Sequence, residues 1–106
     1  VTTVNEPVPD FDLTSLGSGH YQLSGELSFA TAERAFYKAS ELSAEEELTL
    51  DLSELSRIDS AGLAVLVEWW RKLHESNTRL KLLAVPDQLS RMIAISGLEP
   101  ILLADG

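Results

Sequence analysis

A hydroxyl set where an apolar strand gives way to a long apolar helix is the position in this 106-residue chain best surrounded for function. It lies in Arg57-Ile58-Asp59-Ser60-Ala61-Gly62-Leu63-Ala64-Val65-Leu66, where a polar and small-residue corner interrupts two apolar runs. Asp59 and Ser60 are both good helix N-caps, and the Asp59 carboxylate can accept a backbone N–H at the positive end of the helix. Ser60 then falls in the first turn with its hydroxyl facing outward. Beside it, Ala61 and Gly62 are small enough to let another surface approach the backbone. A phosphoryl group on Ser60 would add about −1.5 to −2 charges, favoured by the helix dipole, repelled by Asp59 and hostile to an acidic partner. The corner therefore permits a docking switch.

Other reactive side chains do not assemble into a centre. His20 and His74 fall on different predicted elements, and neither has a cysteine or paired carboxylate at metal-binding spacing. The run Glu45-Glu46-Glu47 reads as a solvated acidic loop. A Gly-rich phosphate loop with its Lys, a His-Glu-x-x-His pair and a Gly-x-Ser-x-Gly elbow are all missing. No catalytic residue, metal or cofactor is expected, and the chain is read as a non-enzyme. On a helical wheel, Trp69 lies beside Gly62 and Val65, displaced from the stripe Leu63, Leu66, Val67 and Trp70. It is expected to be partly exposed, either as an indole over the core margin or as an anchor for a partner, a role in which Trp is enriched.

The elements that must hold this corner are legible in the apolar spacing. Residues 1–10 contain Pro7 and Pro9 without periodicity and read as an irregular lead-in to a single domain over 11–106. Phe11 and Leu13, the turn Gly17-Ser18-Gly19, then Tyr21 and Leu23 form a predicted hairpin ending at Gly25-Glu26-Leu27. Ala32, Ala35, Phe36, Ala39 and Leu42 have helical spacing, with Thr31 at a polar start. Leu48, Leu50 and Leu52 alternate as a strand leading to the corner, and Leu63 to Leu73 form the second helix. Leu80, Leu82 and Leu83 predict another strand. Pro86 opens a third helix, Gly97 ends it, and Ile101 to Leu103 are expected as a last short strand. The alternation predicts an α/β fold, a small mixed sheet of about four or five strands covered by about three helices.

Composition narrows the partners. Seventeen acidic residues against eight basic ones give a net charge of −9, which opposes nucleic-acid backbones and anionic lipid surfaces. No apolar run reaches the ~20 residues of a spanning helix, and no charged head precedes an apolar signal segment. Cysteine is absent, which agrees with a reducing compartment. Direct membrane insertion is not expected; any membrane role would pass through a partner.

Four landmarks in order resemble the STAS domain family: Leu23-Ser24-Gly25-Glu26-Leu27, Leu50-Asp51-Leu52-Ser53, Ile58-Asp59-Ser60-Ala61-Gly62-Leu63 and Ser96-Gly97-Leu98. The resemblance covers nearly the whole chain and implies the STAS fold. It also places Ser60 at the position that a partner kinase phosphorylates in anti-sigma-factor antagonists. Ser28 stands where those switches usually carry Asp, and Ala61 where they often have a second Ser or Thr. The run from Asp59 to Ala64, followed by Glu68-Trp69-Trp70, looks more like the MlaB-type subunit of the Mla phospholipid-transport system. That likeness implies a cytoplasmic subunit, peripheral to the inner membrane, that binds an ABC transporter ATPase and helps maintain outer-membrane lipid asymmetry. The leading expectation is thus a partner-binding face of Asp59, Ser60, Ala61, Gly62, Val65 and Trp69 set against such an ATPase. The alternative is an anti-sigma-factor antagonist, bound by its kinase and switched at Ser60.

Overall fold

The computed structural model describes residues 9–103; the expected lead-in up to residue 8 and the polar tail from 104 lie outside the described residues. Within them, β1 (Phe11–Gly17) and β2 (His20–Leu27) form the predicted antiparallel hairpin. The chain then alternates α1 (Ala32–Tyr37), a 3-10 turn (Lys38–Glu41), β3 (Glu47–Ile58), α2 (Ser60–Glu75), β4 (Arg79–Leu83), α3 (Asp87–Ile95) and α4 (Glu99–Leu102). β3 lies parallel to both β2 and β4, giving one mixed four-stranded sheet in the order β1-β2-β3-β4. The helical crossovers on either side of β3 are what parallel pairing requires.

One sheet face is apolar and carries the core. Leu23 of β2 and Leu48, Leu50 and Leu52 of β3 are almost fully buried. Their neighbours Ser24, Thr49, Asp51 and Ser53 alternate onto the opposite, polar face, as the period of two demands. The helices meet on α2, which contacts α1, α3, α4 and three of the strands.

Two expectations are corrected. The first helix is shorter than its apolar spacing suggests, because its last turn tightens into the 3-10 segment before Leu42 turns extended. Ile101 to Leu103 do not form a strand. Pro100 falls within the first turn of α4, where its missing N–H costs nothing, and the segment packs as a helical turn with Leu102 buried. Gly97 does end α3, at φ +70°, with the Leu98 N–H returning to the Ile93 carbonyl at 2.9 Å.

Candidate functional site

β3 delivers Asp59 to the mouth of α2 in an extended conformation, and its carboxylate bonds two segments at once. Oδ1 accepts the Gly62 N–H at 3.1 Å and so caps the helix. Oδ2 accepts the Phe29 N–H at 3.0 Å, from the loop between β2 and α1. Partial burial pushes the Asp59 carboxyl up; the backbone N–H groups of Phe29, Gly62 and Ala61, with the Arg57 guanidinium, outweigh it and hold the group below the ordinary aspartate value. Ser60 follows as the first residue of the 16-residue helix, exposed to solvent.

The two small residues after Ser60 have different surroundings. Ala61 is half-buried at the surface. Gly62 is buried beneath it, and a Cβ there would lie 2.0 Å from the Leu27 carbonyl oxygen and 2.9 Å from Ile58 Cγ1. Gly62 therefore allows α2 to close onto the end of β2, and does not open the backbone to a partner.

Trp69 also departs from expectation. It is fully buried, and its indole Nε1 donates to the Ala35 carbonyl at 3.1 Å, joining α2 to α1. Val65, expected at the docking face, is 5% exposed and borders the surface only from below. The helix has a second apolar stripe, Gly62, Val65, Leu66, Trp69 and Leu73, all buried, and α1 packs against the helix at Trp69. Trp70 of the stripe chosen by the wheel is the half-exposed one, stacked on His74 with ring centroids 4.8 Å apart.

What the sequence reading missed lies next to Ser60. Phe29 is 85% exposed and Tyr37 70% exposed, and with Phe36 they line a shallow apolar groove between α1 and α2 whose floor includes Ala61, Ala64 and Val65. Glu33 and Glu68 stand on its rim. Phe36, one of the apolar positions of the first helix, lines this groove with the Lys72 ammonium 5.7 Å from its ring centroid. The loop bearing Phe29 is tied down from within. Thr31 Oγ1 accepts the Ser28 N–H at 3.0 Å and donates to the Glu26 carbonyl at 2.7 Å, while the Ser28 hydroxyl donates to the Glu26 carboxylate. Thr31 thus begins α1 without capping it. An aromatic with no periodic partner, placed in a Ser-Phe-Ala-Thr loop, is the sequence signal that could have found Phe29.

Among the described residues, no group of His, Cys, Asp and Glu has the geometry to hold a metal ion. The corner and the groove lie side by side on the helical side of a small α/β domain. The family profile described as "Mlab, STAS domain" matches residues 14–104, and the chain belongs to this STAS domain family. The anti-sigma-B factor antagonist of Listeria monocytogenes is 38% identical over 55 residues, which cover 52% of this chain and 48% of that protein. The match thus spans about half the length of this relative. An anti-sigma factor antagonist from Mycobacterium paratuberculosis shares the fold with a TM-score of 0.69 at 22% identity, over 93% of this chain and 87% of that one. The Bacillus cell fate determinant SpoIIAA in its phosphorylated form does so at 0.66 and 21%, over 92% of each chain.

Proposed function

We propose that this chain is a binding module of the anti-sigma-factor-antagonist kind, docking through the Ser60 corner and the adjoining groove, and switched off by phosphorylation of Ser60. The observation that carries this reading is the exposed Ser60 hydroxyl at the start of α2, flanked by an apolar groove and the exposed Phe29. The relatives named as antagonists support it. A partner kinase would transfer the γ-phosphoryl group of ATP to Ser60 Oγ; the new O–P bond forms as the bond to ADP breaks, and the hydroxyl proton leaves to solvent. A charge of about −2 would then sit within an apolar contact and beside Asp59, which costs desolvation and repulsion. The chain itself acts by binding, in the compartment of its kinase, which under this reading is the cytoplasm.

Incubation with ATP and a serine-kinase anti-sigma factor encoded beside this chain tests the reading by intact mass. The expected result is the addition of one phosphoryl group to the wild type and none to Ser60→Ala; an unmodified wild type would contradict it.

A second reading, an accessory subunit of an ABC transporter ATPase, has the description of the matching family in its favour. Ser28 and Ala61, where antagonist switches carry Asp and often a second hydroxyl, point the same way. It predicts that the unmodified chain stimulates such an ATPase and that a bulky Ser60→Arg abolishes stimulation while Ser60→Ala retains it.

A further inference from the structure

Phe29 and Ser60 belong to segments far apart in sequence, and the Asp59 carboxylate is bonded to one of them and adjacent to the other. Its two oxygens are divided, Oδ1 to the helix cap and Oδ2 to the Phe29 amide. Phe29 is also the most exposed aromatic beside the corner, at 85%. The rest of its loop is held by separate bonds: the Ser28 N–H by Thr31 Oγ1, the Ala30 N–H by the Ser28 hydroxyl at 3.2 Å, and the Thr31 N–H by the Ser28 carbonyl at 3.0 Å. The Phe29 peptide therefore depends on Asp59 in a way that its neighbours do not.

We infer that Asp59 is a positioning residue that couples the charge on Ser60 to the placement of Phe29, so that a phosphoryl group at Ser60 loosens the Phe29 amide. A phosphate on the next residue repels the Asp59 carboxylate and strains its two bonds. Oδ2 is the oxygen that yields, because its bond reaches across to an exposed loop, whereas Oδ1 is retained by the cap within its own segment. The regulatory consequence is that modification does more than place charge in the interface: it also releases the aromatic anchor beside it. This inference rests on the reading of Ser60 as the modified residue.

Phosphoserine installed at position 60 during translation separates the two, because no kinase is needed. Amide hydrogen exchange, followed by NMR at Phe29, Gly62 and Ser28, reads the coupling. The expected result is exchange at Phe29 at least ten-fold faster in the phosphoserine form, with Ser28 unchanged. Asp59→Asn, which keeps a capping oxygen but loses the second acceptor, should accelerate Phe29 without any phosphate and leave Gly62 protected. Equal Phe29 exchange in the Ser60 and phosphoserine forms would overturn the coupling, as would a uniform acceleration that includes Ser28. Failure of the kinase to modify Ser60 would instead overturn the proposed function and leave this result standing.

Discussion

At the scale of single residues, Asp59 carries more of the corner than Ser60 does. Its carboxylate organises the helix start and the Phe29 loop, while the Ser60 hydroxyl is left exposed. Removing it with Asp59→Ala should cost about 0.5–2 kcal/mol, the usual range for a lost cap, read as a lower denaturation midpoint. The pH dependence follows from the depressed folded-state value. The carboxylate's contribution is complete above the unfolded-state value of about 4 and is lost as pH falls through the lower folded value. The stability gap between wild type and Asp59→Asn should therefore be constant from about pH 5 to 8 and close below about pH 4. A gap that widens on acidification would contradict this assignment. The Asp59 cap was legible in the sequence because a capping residue followed by an apolar period is a local signal. Its second bond, to Phe29, depends on where another loop packs, and nothing local encodes that.

At the scale of elements, α2 is the axle of the fold, and its sequence is apolar on two adjoining stripes. Leu63, Leu66, Val67 and Trp70 make one, and Gly62, Val65, Leu66, Trp69 and Leu73 the other. Periodicity alone could not rank them. α1 decides by covering Trp69 and accepting its indole N–H through Ala35. Emission spectra of Trp69→Phe and Trp70→Phe check the assignment. Trp69→Phe should remove the blue-shifted component and lower stability by about 1–3 kcal/mol through a lost hydrogen bond and a partial cavity. Trp70→Phe should remove the red-shifted component at smaller cost. The strands and the Gly97 stop were legible for the opposite reason: alternating leucines on β3 and a glycine after an apolar helical stripe each admit few alternatives. Ile101 to Leu103 were misread because a short apolar run fits a strand or a buried helical turn equally well, and Pro100 is the residue that decides.

At the scale of the whole molecule, the two sides of the sheet divide the work. The face opposite the helices is polar, with Gln22, Asp51, Ser53 and Lys81 among its side chains. The helical side presents Phe29, Phe36 and Tyr37 around the groove next to Ser60. Glutamates on that rim and a net charge of −9 favour a partner with a basic contact surface, so association should slow as salt rises. Because Phe29 and Tyr37 are largely exposed, the double variant Phe29→Ser/Tyr37→Ser should keep stability within about 0.5 kcal/mol. It should nonetheless weaken partner binding at least ten-fold, whereas Ser53→Ala/Lys81→Ala on the polar face should bind as the wild type does. Calorimetric titration of the chain, with Ser60 either unmodified or carrying phosphoserine, into the kinase-type anti-sigma factor tests the central claim most directly. Binding by the unmodified chain, weakened at least ten-fold by the phosphate, is the predicted result; equal affinity of the two forms, or no binding by either, would contradict it.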